Sequence, residues 1–511
     1  MKNLEKNWVR WFLDNYKSID WKRRNKKYSI SYSLALFAEK MKIINQIYIN
    51  GKFVTPHGRE TFELINPTTN QKLGEVILGD EEDLKTAIEA AKKAFKTFSK
   101  TSREKRISHL EKLLYAVSNR ENDLINVMVE EYGGTLQFCR NSVKNAMDSF
   151  STMIETLKKF EFEKVVGTSK VCLEPLGVVG IITPWNASNG FICSKLATAI
   201  AAGCTCVIKP SEMSAQQTQL IAECFHEAGL PKGVFNIVNG LGNVVGNAIS
   251  QHKDIAKISF TGSTLTGKII AKSAVDTMKR VTLELGGKSP NIILDDANFQ
   301  EAIPRAVFGA YMNSGQACIA PTRLLVPEDR LAEVNTLAKA TVQHVKVGRP
   351  NEEDTKVGPI VSRKQYERVQ QYIKLGQEEG AILLAGGEEK PEGLEDGNFI
   401  KATIFTNVHN DMRIAQEEIF GPVLSIIPYK DEDDAIRIAN ETTYGLAAYI
   451  SSSSTERAKR VASQINAGRI SINGFKHDPL APFGGFKESG IGREFGTYGL
   501  EAYLEPKTIL E

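Results

Sequence analysis

The chain has 511 residues, of which 42% are hydrophobic and 24% charged, and its formal net charge is +3. This length exceeds one ordinary domain, and the composition is typical of a globular protein with sizeable cores. The small net charge gives no basis for a nucleic-acid or membrane-lipid partner. The sequence contains no run of about 18 apolar residues, which is the length needed to span a bilayer. Seven cysteines without a secretion signal predict reduced thiols and a cytoplasmic location.

The first 40 residues differ from the rest of the chain in composition. Residues 1–40 hold ten Lys/Arg and four Asp/Glu, and they carry three of the four tryptophans. Their short, interrupted apolar runs do not form a secretory signal, and their four carboxylates argue against a mitochondrial presequence. We interpret this stretch as an appendage to the body of the protein, and an N-terminal helix packed on that body remains the alternative.

The next elements follow from the spacing of apolar residues. Residues 47–53 have the pattern of a strand and turn, and apolar positions recur every three or four residues over 84–98 and 107–117, which predicts two amphipathic helices. Residues 160–173 have strand composition around a Gly-Thr-Ser turn, which predicts a β-hairpin. An edge of such a hairpin has to be covered, and pairing with another subunit would cover it.

From residue 178 onward, short apolar runs alternate with helical segments. The predicted strands are 178–182, 205–208, 234–238, 255–260 and 281–285, and the predicted helices are 194–202, 214–228 and one that begins at Leu265. Fully apolar strands that alternate with helices indicate a parallel sheet covered on both faces. Such sheets bind ligands at the carboxyl ends of their strands, so the loops after the strands are where chemistry is expected.

Two of these loops carry signals for a nucleotide. The glycine-rich segment 240–246 is a weak signal, because GxGxxxG is also found in ordinary turns. Lys209 and Glu212 in the segment KPSE are more informative, since they directly follow a strand and can hydrogen-bond the hydroxyls of an adenosine ribose. A carboxylate there would repel a 2′-phosphate, which favours NAD over NADP. Behind Ser263 a new helix begins, whose free N–H groups can hold a pyrophosphate.

Three further residues matter as a set. Asn186 follows the strand 178–182, Glu284 ends the strand 281–285, and Cys318 lies in the segment GQACI. Alone, each has an ordinary structural explanation, as a turn amide, a solvated carboxylate and a buried small side chain. Zinc is not expected, because Cys204 and Cys206 have no second Cys/His pair at metal-ligand spacing.

The segments around these residues resemble the aldehyde dehydrogenase superfamily. The similar motifs are FTGST (260–264), LELGGKSP (283–290), GQACIAPTR (315–323), QEEIFGPV (416–423) and PFGGFKESG (482–490), together with KPSE. They occur in one order from about Ile47 to the C-terminus, and residues 1–40 lie outside the resemblance. The interval between Glu284 and Cys318 is also similar to the family's.

The resemblance implies roles for the catalytic residues. Cys318 would attack the aldehyde carbon, and Asn186 would donate to the developing oxyanion together with the Cys318 backbone N–H. Loss of hydride to nicotinamide would leave a thioester on Cys318, which water activated by Glu284 would hydrolyse; Glu284 would also be able to take the thiol proton. Lys195 matches a lysine that the family places near the active site, where it would relay protons or belong to a buried ion pair.

The resemblance also implies the ligand contacts. The expected NAD contacts are Ile182, Thr183, Pro184, Trp185, Lys209, Glu212, Gly242, Gly262, Ser263, Leu285, Glu418 and Phe420. The expected substrate contacts are Phe191, Met312, Ile319 and Phe483. The segment after Asn186, Ala187-Ser-Asn-Gly190, departs from the family's Pro-containing pattern, which leaves the tunnel wall undefined. Lys476, His477 and Asp478 would line its mouth and favour a polar or anionic aldehyde, or would form a solvated loop.

The expected fold is α/β, with a Rossmann-like cofactor domain, an α/β catalytic domain and a small β oligomerisation arm. The predicted bounds are 41–158 and 176–286 for the NAD-binding domain, 287–485 for the catalytic domain, and 159–175 and 486–511 for the arm. We expect a homodimer or homotetramer. Two alternatives stay open: a CoA-acylating semialdehyde dehydrogenase, which does not need Glu284, and a non-catalytic member, which does not need the three residues together.

Overall fold

The strands of the protein form four sheets in the computed structural model, which describes residues 42–510. The strands are β1 (Lys42–Ile44), β2 (Ile47–Ile49), β3 (Lys52–Val54), β4 (Thr61–Ile65), β5 (Lys72–Ile77), β6 (Glu163–Val166), β7 (Ser169–Pro175), β8 (Val178–Ile182), β9 (Thr205–Lys209), β10 (Phe235–Ile237), β11 (Ile255–Thr261), β12 (Arg280–Glu284), β13 (Pro290–Ile293), β14 (Arg323–Pro327), β15 (Ile382–Ala385), β16 (Thr403–Thr406), β17 (Val423–Tyr429), β18 (Ala447–Ser451), β19 (Arg469–Ile472), β20 (Gly490–Ile491) and β21 (Leu504–Ile509). The appendage predicted for 1–40 lies outside the described residues.

The helices cover the faces of these sheets. They are α1 (Glu81–Phe98), α2 (Arg103–Ser118), α3 (Glu121–Tyr132), α4 (Leu136–Lys159), α5 (Ser188–Ala202), α6 (Ala215–Glu227), α7 (Asn247–Gln251), α8 (Thr264–Val275), α9 (Phe299–Ala310), α10 (Leu331–Val342), α11 (Arg363–Glu378), α12 (Arg413–Gln416), α13 (Glu432–Asn440), α14 (Thr455–Ala462) and α15 (Gly496–Glu501). Within residues 42–510, none of them is both long and apolar enough to cross a membrane.

The larger sheet contains the strands predicted between 178 and 285. Its order is β20-β12-β11-β8-β9-β10-β2-β3, and the five central strands run parallel. The register pairs Ile182 with Lys209 and with Phe260, and it pairs Thr261 with Glu284. The carboxyl ends of four parallel strands therefore meet along one edge, where ligands of such sheets bind. The edge strands β20, β2 and β3 run antiparallel, a pairing that the sequence pattern did not predict.

Helix α5 lies at the centre of the core behind this edge. Thirteen of its residues are buried, and it packs on α4. It begins at Ser188, six residues before the predicted start at residue 194. The first turn, with Ser188, Asn189 and Gly190, has low helix propensity, so the apolar pattern hid it. Burial against α4 overrides this low helix propensity. Asn186 therefore lies just before α5, and Lys195 lies within the same helix.

The second large sheet has the order β15-β16-β17-β14-β13-β18-β19, parallel except for the edge strand β15. Arg323, the first residue of the central strand β14, has a fully buried side chain. The guanidinium donates to the carbonyls of Lys288, Ile438 and Ala439 at 3.0, 2.9 and 2.9 Å, and to Asn410 Oδ1 at 3.0 Å. A buried charge persists because these acceptors replace water.

The hairpin predicted at 160–173 is present as β6 and β7. β21 adds to β7 in antiparallel register, from Leu504 opposite Pro175 to Ile509 opposite Lys170. β21 begins at Leu504, shortly after helix α15 ends at Glu501. β6 forms the outer edge of the three-stranded sheet, and its Val165 is 79% exposed.

Candidate active site

Three loops bring Asn186, Glu284 and Cys318 to one region between the two large sheets. The side-chain amide of Asn186 donates to the carbonyl of Gln316 at 3.0 Å, two residues before Cys318. Three residues after Glu284, the backbone of Gly287 lies so close to the Cys318 loop that an added Cβ would be 2.3 Å from the Cys318 carbonyl oxygen. A side chain at Gly287 would therefore displace the cysteine.

The loop that carries Cys318 has an unusual backbone. Asn313 and Ser314 have φ of 51° and 57°, and Gly315 follows with φ of 73°. Left-handed φ is uncommon outside glycine, and asparagine is among the residues that tolerate it. An added Cβ at Gly315 would lie 2.0 Å from the carbonyl oxygen of Gly421, so only glycine fits there.

A buried hydrogen-bond network holds this loop in place. The Tyr132 hydroxyl donates to Asn313 Oδ1 at 2.9 Å, and Asn313 Nδ2 donates to the carbonyls of Asn186 and Gln316 at 3.2 and 3.0 Å. Gln316 Nε2 donates to the Tyr132 hydroxyl at 3.2 Å, and Gln316 Oε1 accepts from the Val361 backbone N–H at 3.0 Å. Since satisfied buried networks are rigid, the strained turn and Asn186 are fixed relative to each other.

The Cys318 thiol is partly buried and carries a raised pKa. Burial, assisted by the negative charges of Glu418 and Glu284, raises the pKa to about 12, while backbone N–H groups at Cys318 and Ile319 act in the opposite direction. At neutral pH the resting side chain is therefore a thiol, and a nucleophilic attack requires that its proton leave.

The Glu284 carboxyl group is buried and has no hydrogen-bond partner among the described residues. Burial raises its pKa well above the usual range, the charge of Glu494 raises it further, and the cations Lys195 and Arg493 lower it. An added Cβ on Gly484 would lie 2.9 Å from Glu284 Oε1, so the carboxylate rests against the glycine backbone. A raised pKa makes the carboxylate form of Glu284 a stronger base than an exposed carboxylate.

Lys195 belongs to a buried ion pair, one of its two expected roles. Its Nζ donates to Glu494 Oε1 through a short bond and to Ser259 Oγ at 3.1 Å. Ser259 Oγ in turn donates to Glu494 Oε1 at 3.3 Å. Because Lys195 and Glu494 act oppositely on the pKa of Glu284, this pair sets the charge of the carboxyl group next to it.

The sheet edge near Glu284 offers polar groups to a cofactor. Lys209 Nζ and Glu212 Oε2 form an ion pair at 3.0 Å, directly after β9. The hydroxyls of Thr183 and Thr261 are buried, and neither has a hydrogen-bond partner within residues 42–510. Ser263 caps α8 by accepting from the Thr266 N–H at 3.2 Å, so the helix N-terminus opens onto this edge. These orphaned hydroxyls and the helix end suit the ribose and phosphate groups of a dinucleotide.

Glu418 joins the same edge from the second sheet. Its Oε1 accepts from the Gly287 N–H at 3.0 Å, and an added Cβ on Gly286 would lie 2.7 Å from Oε2. Burial raises the pKa of Glu418 to about 7, against the lowering effect of the Gly287 N–H and nearby cations. Phe420, which has φ of 61°, places its ring 5.4 Å from that of Trp185 in an edge-on contact.

The other expected cofactor residues lie at the carboxyl end of β8 or in the loops that follow β8, β10, β11 and β12. Gly262 donates its N–H to the Glu284 carbonyl at 3.0 Å, and the Leu285 side chain fills the space above Gly267, where an added Cβ would meet it at 2.4 Å. Ile182 ends β8, and Pro184 and Trp185 continue toward Asn186. Gly242 begins a π-helical turn and faces open space.

The expected substrate residues surround the Cys318 loop. Ile319 follows Cys318, and its carbonyl accepts from the Tyr449 hydroxyl at 2.9 Å. Met312 begins the turn that leads to the cysteine, and Phe191 is half-buried on the first turn of α5. Phe483 precedes the glycine that touches Glu284, and its ring lies 5.6 Å from that of Phe495. The role of Phe191 as a substrate contact stays a prediction.

This combination of loops, edge and motifs is matched by known proteins. A model of the aldehyde dehydrogenase family matches residues 53–509. The chain belongs to the aldehyde dehydrogenase family. It is 45% identical to a 3-succinoylsemialdehyde-pyridine dehydrogenase of a Pseudomonas species, over 92% of this chain and 99% of that protein. It is 46% identical to a putative aldehyde dehydrogenase of Staphylococcus haemolyticus, with the same coverage.

Solved structures of aldehyde dehydrogenases share the fold. Aldehyde dehydrogenase C of Pseudomonas syringae, a cysteine-to-alanine mutant in complex with NAD⁺ and octanal, superimposes with a TM-score of 0.91 at 43% identity, over 93% of this chain and 98% of that one. Betaine aldehyde dehydrogenase of Staphylococcus aureus in complex with NAD⁺ superimposes with a TM-score of 0.88 at 35% identity, over 91% of this chain and 94% of that one. The predicted fold class, enzyme class and NAD dependence are confirmed, and the chain is an NAD-dependent enzyme that oxidises an aldehyde to a carboxylic acid.

Sequence reasoning missed several residues of this aldehyde dehydrogenase site. Glu494 lies just beyond the motif that ended at residue 490, and an acidic residue within a glycine-rich C-terminal segment was a usable signal. Asn313 also went unnoticed, although asparagine two residues before a glycine is typical of left-handed turns.

Proposed function

We propose that Cys318, Asn186 and Glu284 are the catalytic residues of the aldehyde oxidation. The observation that carries this assignment is the hydrogen bond from Asn186 to the Gln316 carbonyl, combined with the electrostatic effect of Glu284 on the Cys318 thiol. One amide, one thiol and one carboxyl group thus face a common space. Aldehyde oxidation through a thioester needs these three functions and no others from side chains.

The first step forms a bond between Cys318 Sγ and the aldehyde carbon, while the thiol proton passes to solvent water and the π electrons of the carbonyl move to its oxygen. The resulting oxyanion accepts a hydrogen bond from Asn186, whose Nδ2 has a second N–H besides the one that binds Gln316. The Cys318 backbone N–H supplies the other donor. Such a donor typically lowers the barrier by about 3 kcal/mol. NAD supplies the hydride acceptor when it is bound.

The second step hydrolyses the thioester. Glu284 accepts a proton from the attacking water, and Cys318 leaves as the carboxylic acid forms. Its raised pKa suits this task, because a base works best when its pKa approaches the working pH. Lys195 and Glu494 position and tune Glu284 without touching the substrate. The presence of a buried, unpaired carboxyl group favours hydrolysis over transfer to CoA.

The cofactor assignments follow the edge of the larger sheet. Lys209 and Glu212 would hold the adenosine ribose, Ser263 and the N-terminus of α8 the pyrophosphate, and Glu418 the nicotinamide ribose. Glu212 would disfavour the 2′-phosphate of NADP by charge repulsion. Gly242, Gly262, Leu285, Phe420 and residues 182–185 would form the walls around them.

The substrate enters past Phe191, Met312, Ile319 and Phe483. The Pseudomonas relative is named for a semialdehyde attached to a pyridine, and the P. syringae structure holds octanal. Both are aldehydes with a carbon chain between the reacting group and the far end of the molecule. A tunnel lined by aromatic and aliphatic side chains suits such a chain.

The three-stranded sheet of β6, β7 and β21 would serve as an oligomerisation arm. The exposed edge of β6 and the strand β21 would pair with a second copy, which gives a homodimer or a homotetramer. We assign residues 159–175 and 486–511 to this arm, 41–158 and 176–286 to the NAD-binding domain, and 287–485 to the catalytic domain. All seven cysteines are free thiols, which supports a cytoplasmic location.

The experiment that tests this function uses the variant Cys318→Ala. We expect no NADH formation from a panel of aldehydes, while NAD binding, measured by calorimetry, stays at the wild-type level. Cys172→Ala is the matched control, because Cys172 lies on β7 in the arm and should keep full activity. NADH formation by Cys318→Ala would refute the assignment, and a CoA-thioester product in the wild type would refute hydrolysis.

A further inference from the structure

Arg469, the first residue of β19, is a half-buried arginine without a carboxylate partner among residues 42–510. Its Nη2 donates to the carbonyl of Lys476 through a short bond, and its Nη1 donates to His477 Nδ1 at 3.3 Å. A guanidinium has five N–H donors, so these two bonds leave others for a ligand. Half-buried arginines usually pair with an anion, which makes this one a candidate for a charge on the substrate.

Tyr449 connects Arg469 to the nucleophile. The Tyr449 hydroxyl donates to the carbonyl of Ile319, the residue after Cys318. Burial raises the pKa of Tyr449, the charge of Arg469 lowers it, and the charge of Cys318 raises it. The register of β18 and β19 pairs Ala447 with Arg469 and Tyr449 with Ser471, so Tyr449 and Arg469 lie on the same face of the sheet. The Phe475 ring packs edge-on against the Tyr449 ring at a centroid distance of 4.9 Å.

Within residues 42–510 the Arg469 guanidinium binds the Lys476 carbonyl and His477, and no carboxylate forms a salt bridge with it. His477 accepts from Arg469 at Nδ1, so its proton lies on Nε2 and the ring is neutral; burial and the charge of Arg469 lower its pKa accordingly. The two nearby carboxylates are already engaged. Asp148 forms an ion pair with Lys144, and Asp478 Oδ1 accepts from the Leu480 N–H at 2.9 Å.

We infer that Arg469 binds a carboxylate at the far end of the substrate, so that the enzyme prefers aldehydes that carry a terminal carboxylate over uncharged aldehydes of the same length. This inference rests on the proposed function of Cys318. The aldehyde carbon lies at the thiol, the chain passes Tyr449 and Phe475, and the carboxylate accepts from the guanidinium and from His477 Nε2–H. Such charge-assisted hydrogen bonds are stronger than neutral ones and discriminate against a ligand without the charge.

The test compares matched aldehydes on wild type and variants. The pairs are butanal with succinic semialdehyde and pentanal with glutaric semialdehyde, and kcat/KM is measured for each. We expect the wild type to favour the acid of at least one pair by about 10- to 100-fold, and Arg469→Gln to lose that preference while its kcat/KM for the uncharged aldehyde changes little. Arg460→Gln is the control, because Arg460 is an exposed arginine of the same half of the protein, paired with Glu432.

A merely structural role of Arg469 in holding residues 476 and 477 would lower kcat/KM for both members of a pair equally, and that result would overturn the inference. So would a wild type that prefers the uncharged aldehydes. Arg469→Lys keeps the charge and should keep part of the preference, which guards against a poorly folded Arg469→Gln. Competitive inhibition of the wild type by succinate, stronger than by butyrate, is expected as well. If neither aldehyde of any pair yields NADH, the proposed function fails first.

Discussion

Replacing Glu284 by glutamine separates the two halves of the reaction. Neither carboxyl oxygen of Glu284 has a hydrogen-bond partner among the described residues, so the substitution breaks no protein contact. Glutamine has the same shape, which matters because Oε1 lies against Gly484. The variant should therefore fold normally and lose only the base. A positioned general base contributes about 10²- to 10⁴-fold, or roughly 3–5 kcal/mol, so steady-state turnover should fall by that factor.

Rapid-mixing measurement of NADH absorbance shows which step is affected. Formation of the thioester releases NADH before the base is needed, so Glu284→Gln should give a burst of about one NADH per active site followed by slow turnover. Mass spectrometry of the quenched protein should find the acyl group on Cys318. If the burst disappears together with turnover, Glu284 acts before the thioester forms. If turnover is unchanged, Glu284 is not the base, and the reasoning is refuted in both cases.

Other predictions concern pH, cofactor choice, stability and assembly. Because Glu284 must lose its proton to act in hydrolysis and its pKa is raised, kcat should increase with pH; Glu494→Gln removes a charge that raises this pKa and should shift the rising limb of the kcat profile to lower pH. Glu212→Gln should increase the kcat/KM ratio of NADP to NAD by about tenfold, and an unchanged ratio would contradict the ribose assignment. Arg323→Met should reduce the free energy of unfolding by about 3 kcal/mol in denaturant titrations, since it leaves buried carbonyls unpaired. Deletion of 504–511 should yield monomers in light scattering, and an unaltered oligomer would exclude β21 from the interface.

The parallel part of the larger sheet was predictable because burial on both faces leaves continuous apolar runs. β8 agrees with its predicted range, and β9, β11 and β12 agree to within one residue at either end. The edge strands were not predictable in the same way. β20 has two residues, and its pairing with β12 joins segments about 200 positions apart, which no local pattern encodes.

The catalytic residues were found through motifs, and their environment was not. A motif gives the identity of Cys318 and Glu284, but the pKa of each depends on side chains that come from distant segments. Glu494 and Lys195 are separated by 299 positions and meet only because α5 and the C-terminal segment pack together. The left-handed turn at Asn313 likewise follows from contacts with Tyr132 and Gly421, which the local sequence does not reveal.

The C-terminal segment performs three tasks within a short stretch of chain. β20 extends the sheet next to Glu284, Glu494 neutralises the cation beside that carboxyl group, and β21 then completes the arm through which subunits would associate. Because β21 and Glu494 belong to the same short segment, a displacement of the arm is expected to move Glu494 and so change its electrostatic effect on Glu284. Dissociation into monomers would loosen the position of Glu494 and change the acidity of Glu284, so subunit association and thioester hydrolysis are expected to be lost together.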